Sequence, residues 1–241
     1  MKKIMITLLA WALMVFPAYA DIIPEEVYTE HLERISFYTE SNIDTVAQEV
    51  IDTCENNYEI LGYSYEIIDG KCYAEFEWRP TAKLLYGMEE NQKLEDAAKE
   101  IIGDIINDGD SDYRKVHVIT KWIAENVDYD FSALSEDIRR TDYGQFAENA
   151  IFDGKAVCAG YADAFYLLCN MSGVEARLVY GECNGIKHVW NAVKLRDEWY
   201  FTDTTDKSGR AFLRGTEWFA QHGYYANCYM QYGTSERDYA F

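Results

Sequence analysis

The stretch that begins at His188 constrains the fold of this chain most, because it predicts two antiparallel strands. The sequence HVWNAVKLRDEWYFTDTTD places these strands on either side of Arg196-Asp197. A two-residue loop sets Trp190 opposite Asp203 and makes His188 the diagonal neighbour of Asp203, on the same face. A three-residue loop would reverse the faces unless a bulge restored them. A hydrogen bond between Asp203 and His188 is therefore expected.

A helix is predicted to begin at Cys158, ahead of these strands. The sequence GKAVCAGYADAFYLLCNMSG predicts a helical run from about Cys158 to Met171, with Gly173 as its C-terminal cap. Free amide groups and the positive end of the helix dipole favour a thiolate at this position. A small buried cysteine is the commoner interpretation of one thiol taken alone. Together with His188 and Asp203, however, Cys158 is predicted to be a nucleophile with His188 as its base and Asp203 orienting that base.

The first twenty residues predict a signal peptide. Two lysines precede an apolar run, which ends on the small-x-small pattern Ala18-Tyr19-Ala20. The mature chain is expected to begin at Asp21, which would make the protein secreted or extracytoplasmic. The apolar run is too short to span a bilayer, and no later stretch is long and uncharged enough. No membrane span is expected.

The charge of the chain argues against one class of partner. Its 42 acidic and 22 basic residues give a formal net charge of −20. Such a chain repels phosphate backbones, so no nucleic acid partner is expected. A solvated, colloidally stable surface explains the charge better than recruitment of a cationic partner.

The cysteines leave two interpretations open. An even count in an exported chain indicates three disulfides, whereas a free catalytic Cys158 leaves at least one other cysteine unpaired. Cys158 and Cys169 lie about 16 Å apart on one helix, too far for a disulfide. Cys54 and Cys72 are the favoured pair, because the helix near Cys54 is expected to pack on the hairpin that carries Cys72. The six are Cys54, Cys72, Cys158, Cys169, Cys183 and Cys228.

A small α/β unit is predicted near the N-terminus, over residues 21–84. It consists of a strand at Ile35–Thr39, an amphipathic helix over about Asn42–Asn56, and a hairpin that turns at Asp69-Gly70. Arg79-Pro80 ends the hairpin, because proline cannot donate to a strand ladder.

Two amphipathic helices are predicted next, at Glu89–Ile106 and Asp112–Asn126. The acidic segment between them resembles the start of a calcium loop, but it lacks the glycine and the glutamate that follow in such loops. A solvated turn capped by Ser111 or Asp112 is favoured. No metal or cofactor is expected.

Three motifs together resemble the transglutaminase-like superfamily. Cys158 lies within GKAVCAGYADAF, His188 within HVWN, and Asp203 within WYFTDTT, in the order of that family's motifs. The two preceding helices and Tyr129 are also similar to the family's lead-in, so the resemblance covers roughly residues 85–225.

The resemblance implies an α/β (α+β) papain-like fold over residues 85–241, with the nucleophile helix packed on an antiparallel sheet that carries the histidine and the aspartate. It implies a cysteine hydrolase or acyltransferase that acts on protein or peptide amides, as a peptidase, deamidase or crosslinker. The Cys158 amide is the expected first oxyanion donor, and Tyr129 and Gln145 are candidates for the second. A catalytically inert binding or cell-envelope module is the alternative, and the presence of all three triad residue types favours the enzyme.

Other residues near the motifs receive supporting roles. Trp190 and Asn191 are expected to shape the site, and His222 is not predicted to be catalytic. The C-terminal aromatic residues either line a substrate groove or pack on the sheet, and packing is the more usual outcome. These residues are Trp218, Phe219, Tyr224, Tyr225, Tyr229 and Tyr232.

Overall fold

The chain forms two compact units, with the boundary between Arg79 and Pro80. The structure is a computed structural model that describes residues 33–38, 59–69, 71–133, 143–226 and 234–240. Within these ranges, no helix has the length and apolar character needed to cross a membrane.

The first unit contains a three-stranded antiparallel sheet in the order β1-β3-β2. The strands are β1 (Arg34–Tyr38), β2 (Ile60–Ile68) and β3 (Lys71–Trp78). Ile68 pairs with Lys71, which confirms the predicted two-residue turn, and Asp69 takes the positive φ of 51° that such a turn requires. The helix predicted over Asn42–Asn56 lies outside the described residues.

Cys72 is a buried free thiol in β3. The predicted disulfide between Cys72 and Cys54 is therefore wrong, and Cys54 itself lies outside the described residues. Cys72 lies on the same buried face of the strand as Ala74 and Phe76, and there a free cysteine packs as a small apolar side chain. Burial raises the pKa of the Cys72 thiol, which keeps it protonated.

The second unit is organised around one buried helix, α4. Every residue from Ala159 to Cys169 in this helix is buried, as expected for a helix that is apolar on nearly all sides, and the buried Asp163 carboxylate accepts hydrogen bonds from Thr81 and Ala147. It packs against α2 and α3 on one side and against a sheet on the other. The helices are α1 (Pro80–Leu85), α2 (Gln92–Ile105), α3 (Asp112–Asn126), α4 (Cys158–Met171) and α5 (Thr216–Gln221).

Local signals fix the helix ends. The Ser111 side chain accepts a hydrogen bond from the Arg114 amide at the start of α3, which confirms the predicted cap. Gly173 follows the last turn of α4 with a φ of +83°, the left-handed conformation that glycine adopts without strain. The bounds of α3 and α4 therefore agree with those predicted from the sequence.

The sheet of the second unit is antiparallel, in the order β8-β7-β6-β9. Its packing on α4 confirms the predicted architecture of a nucleophile helix on an antiparallel sheet. The strands are β6 (Ala176–Cys183), β7 (Ile186–Leu195), β8 (Glu198–Thr202) and β9 (Tyr224–Ala226).

The β7–β8 hairpin has the predicted register. Leu195 pairs with Glu198, so the loop consists of Arg196 and Asp197 alone, with φ angles of +52° and +65°. The same ladder pairs Asn191 with Thr202 and so directs the next residue, Asp203, towards the face that carries His188.

A short parallel pair links the segment after α3 to the segment before α4. It joins β4 (Asp128–Tyr129) to β5 (Lys155–Ala156) and thereby sets Tyr129 opposite Ala156, two residues before Cys158. The Tyr161 hydroxyl of α4 also donates to the Val127 carbonyl at 2.5 Å. These contacts hold the β4 segment next to the start of α4.

Candidate active site

Cys158 is the first residue of α4. The cap residue before it, Val157, is extended and provides no side-chain hydrogen bond to the first turn. The amide groups of that turn therefore face the Cys158 region without a side-chain cap, and the positive end of the helix dipole lies beside the sulfur.

Gly160 allows the first turn of α4 to approach its neighbours closely. A Cβ atom at Gly160 would lie 2.4 Å from the Gly144 carbonyl oxygen and 2.7 Å from the Ala156 Cβ atom. Only glycine fits this position without a shift of the backbone. The small residue thus sets where the helix start, and with it Cys158, lies in the fold.

The structure brings Cys158, His188 and Asp203 together in that order. The His188 Nε2 atom lies 2.8 Å from the Asp203 Oδ2 atom, and the Cys158 thiol lies within reach of the His188 ring. Because Nε2 is engaged by the carboxylate, Nδ1 is the ring nitrogen left for the sulfur. The catalytic roles of the three residues remain predictions.

Asp203 is held by hydrogen bonds at both carboxylate oxygens. Oδ1 accepts from the Thr205 amide at 2.9 Å and from the Thr205 hydroxyl at 2.6 Å. Oδ2 accepts from the Tyr224 hydroxyl at 2.8 Å and faces His188 Nε2. Burial raises the pKa of Asp203, but the charge and hydrogen bonds of its neighbours outweigh burial and lower it, so the carboxylate is ionised at neutral pH.

The thiol and the imidazole stabilise each other in their charged forms. Burial lowers the pKa of His188, but the hydrogen bond and charge of Asp203, followed by those of Cys158, outweigh it and raise the pKa to about 10. Burial raises the pKa of Cys158, but the His188 hydrogen bond and charge and the Val189 backbone N–H outweigh it and lower the pKa. The arrangement favours a thiolate–imidazolium pair at neutral pH.

Tyr129 contacts Cys158 from the side of β4. Its hydroxyl is within hydrogen-bonding reach of both the Cys158 backbone N–H and the Cys158 thiol. Burial, and then the charge of Cys158, raise the pKa of Tyr129, so the phenol keeps its proton and remains a donor. Gln145, the other oxyanion candidate from the sequence, is buried, and its role remains a prediction.

Asn191 and Trp190, which are expected from the sequence to shape the site, hold the sheet against its neighbours. The Asn191 Nδ2 atom donates to the Ala162 carbonyl of α4 at 2.9 Å and to the Arg177 carbonyl of β6 at 3.2 Å. The Trp190 ring is buried and stacks on the His188 ring with 6.1 Å between centroids. These contacts fix the distance between the helix that carries the thiol and the strand that carries the imidazole.

Tyr224 is a site residue that the sequence did not single out. It belongs to the C-terminal aromatic set, for which packing on the sheet is the usual expectation. Phe219 is indeed buried there, and Tyr225 is 59% exposed, but Tyr224 reaches the Asp203 carboxylate through its hydroxyl. Tyr229 and Tyr232 lie outside the described residues.

Among the residues that are described, no group of three or more His, Cys, Asp or Glu side chains is arranged to hold a metal ion.

Comparison with known proteins gives a family match that contains the site. Residues 99–204, which include Cys158, His188 and Asp203, match the family model of the transglutaminase-like superfamily. Kyphoscoliosis peptidase is 30% identical in Homo sapiens and 31% identical in Mus musculus, over 123 residues in each case. The alignments cover 46% of this chain and 18% of each relative, so the chain spans less than a fifth of these longer proteins.

Solved structures similar to this chain include three proteins whose sequence identity to it is below 20%. A TGase is 18% identical with a TM-score of 0.43, over 72% of this chain and 50% of that chain. The arylamine N-acetyltransferase of Bacillus cereus, described with a Cys-His-Glu triad, is 16% identical with a TM-score of 0.35, over 45% and 48% of the two chains. Legionella pneumophila LapG is 16% identical with a TM-score of 0.37, over 53% and 74%.

Proposed function

Because residues 99–204 are a transglutaminase-like domain, we propose that this protein is a cysteine-dependent acyl-transfer enzyme with Cys158 as nucleophile. The observation that carries the proposal is the arrangement in which the Cys158 thiol lies beside the His188 ring, whose Nε2 atom is 2.8 Å from the buried Asp203 carboxylate. A thiol at a helix start, with a polarised imidazole beside it, has the elements that an activated nucleophile requires.

In the first half of the proposed reaction, the Cys158 thiolate attacks the carbonyl carbon of an amide or thioester. The carbonyl π electrons move to the oxygen, and a tetrahedral oxyanion forms. The Cys158 backbone N–H at the helix start and the protonated Tyr129 hydroxyl beside it are the two proposed donors to that oxygen. In the absence of substrate, the Tyr129 hydroxyl contacts the Cys158 backbone N–H, and a substrate carbonyl oxygen that enters between these two groups would replace that contact.

In the second half, the His188 imidazolium protonates the leaving amine as the bond between carbon and nitrogen breaks, which leaves an acyl group on Cys158. Neutral His188 then accepts a proton from water or from an acceptor amine, which attacks the thioester and restores the thiolate. Asp203 keeps the imidazole in the tautomer protonated at Nε2 and stabilises the imidazolium.

Protein or peptide amides are the proposed substrates, and the name of the similar kyphoscoliosis peptidase supports this class. Water as acceptor makes the protein a peptidase or deamidase, and a lysine amine makes it a crosslinker. We also propose that the protein acts outside the cytoplasm after cleavage at Ala20, because residues 1–20 have the signal-peptide pattern.

An activated ester tests the proposed acyl-enzyme without knowledge of the natural substrate. We expect p-nitrophenyl acetate to give a burst of nitrophenolate that approaches one equivalent per enzyme, with the acetyl group on the peptide that contains Cys158. Addition of a primary amine should speed deacylation if transfer is the natural reaction, and leave it unchanged if water is the acceptor. Acetylation of surface lysines alone, without a burst, would contradict the proposal.

A further inference from the structure

We propose that Tyr224 is a positioning residue of this site, whose hydroxyl holds the Asp203 carboxylate, and through it His188, in the orientation that faces Cys158. The proposal rests on the proposed acyl-transfer function. It assigns a role in the site to a residue of β9, a strand that follows the three sequence motifs in the chain.

The geometry shows Tyr224 and His188 sharing one acceptor. The Tyr224 hydroxyl donates to the Asp203 Oδ2 atom at 2.8 Å, and the same oxygen lies 2.8 Å from His188 Nε2. Thr205 engages only the other oxygen, Oδ1. Of Tyr224, Thr205 and His188, only His188 would still contact Oδ2 if the Tyr224 hydroxyl were removed. The oxygen that orients the imidazole would then lose one of the two hydrogen bonds that hold it.

The direction of the Tyr224 hydroxyl proton is set by Asp203, because the ionised carboxylate can only accept a hydrogen bond and the phenol must donate it. Cys183 pairs with Tyr224 across the β6–β9 ladder, so the two side chains share a face. Burial, and then the charge of Asp203, raise the pKa of Tyr224, so the phenol retains the proton that it donates.

Packing fixes the Tyr224 ring independently of its hydroxyl. The ring lies edge-on to Trp190 at 5.5 Å and tilted against Phe219 at 4.5 Å, and the residue is 8% exposed. The ring is also tilted against the His188 ring at 5.9 Å. Substitution by phenylalanine keeps all of these ring contacts and removes one hydroxyl group. The substitution thus separates the positioning role from the structural role.

The test compares Tyr224→Phe with a matched substitution on the same sheet. Tyr200 is buried and its hydroxyl donates to the Glu198 carboxylate at 2.5 Å, so Tyr200→Phe also removes a phenol-to-carboxylate hydrogen bond. We expect Tyr224→Phe to lower both kcat on p-nitrophenyl acetate and the rate of Cys158 alkylation by iodoacetamide at pH 6 by about tenfold, the lower end of the range for a hydrogen bond to a charged group. KM should stay within about twofold, and Tyr200→Phe should change neither rate by more than that.

Two further measurements complete the test: the effect of Tyr224→Phe in a protein that already carries Asp203→Asn, and the reactivity of the wild-type thiol. In an Asp203→Asn background, Tyr224→Phe should have little further effect, because the charged acceptor is already lost. Equal loss of unfolding free energy in the two Phe variants, with a rate loss only in Tyr224→Phe, supports positioning. Unchanged rates in a folded Tyr224→Phe protein, or a full tenfold effect in the Asp203→Asn background, would overturn it. A wild-type thiol no more reactive than a model thiol would instead refute the acyl-transfer function.

Discussion

Replacement of Cys158 by alanine is expected to abolish acyl transfer, lowering kcat by at least about 10⁴-fold, because Cys158 is the thiol that interacts with His188. The fold should be retained, since the substitution removes a half-buried sulfur at a helix start. The measurement is steady-state turnover of p-nitrophenyl acetate, together with mass mapping of the acetylated peptide.

The matched control for this substitution is Cys169→Ala on the same helix. Cys169 is fully buried, and burial raises the pKa of its thiol, which makes it unreactive. Its replacement should reduce stability, because the side chain is part of the core, while turnover stays within about twofold. Retained turnover in Cys158→Ala, or its loss in a folded Cys169→Ala protein, would show that the wrong thiol has been assigned.

Substitution of Asp203 by asparagine is expected to lower kcat by about 10⁴-fold while the protein remains folded. The amide cannot stabilise the imidazolium by charge. Thr205 and Tyr224 donate to both oxygens of the present carboxylate. An asparagine must instead present an NH₂ group on one side. If that group donates to His188 Nε2, the imidazole carries its proton on Nδ1 and is unable to accept the thiol proton there. Turnover of the variant, measured beside its unfolding in urea, checks both parts of the expectation.

Asp206→Asn is the control for this second prediction. Asp206 lies in the same loop, accepts from the Ser208 amide at 3.1 Å and from the Ala211 amide at 3.0 Å, and thus has a similar local role without contact to His188. Its substitution should affect stability alone. A loss of less than about tenfold in Asp203→Asn would mean that Asp203 does not orient the base.

The part of the site that depends on local chain geometry could be predicted from the sequence. Arg196-Asp197 accepts positive φ at both positions, and this two-residue loop sets the register that brings His188 to the face of Asp203. The start of α4 at Cys158 follows from a helical run with a glycine cap at its end. These features depend on residues that are neighbours in the chain or joined by one tight turn.

The part that depends on contacts between distant segments could not be predicted in the same way. Tyr224 reaches Asp203 only because β9 pairs with β6, and the three-residue strand β9 has no periodicity that would identify its partner. The sequence indicates Tyr129 as a candidate oxyanion donor, but the contact that brings it to Cys158 depends on a parallel pair of only two residues per strand, which has no sequence signal.

The central claim is that His188 holds Cys158 as a thiolate, and the pH dependence of Cys158 alkylation tests it most directly. Because the pKa of Cys158 is lowered and that of His188 is raised to about 10, the thiolate–imidazolium pair should persist from mildly acid pH until His188 loses its proton. We expect iodoacetamide to label Cys158 at pH 6 far faster than a model thiol, whose pKa of about 8.5 leaves little thiolate there. A Cys158 rate that follows the model thiol across this range would contradict the account.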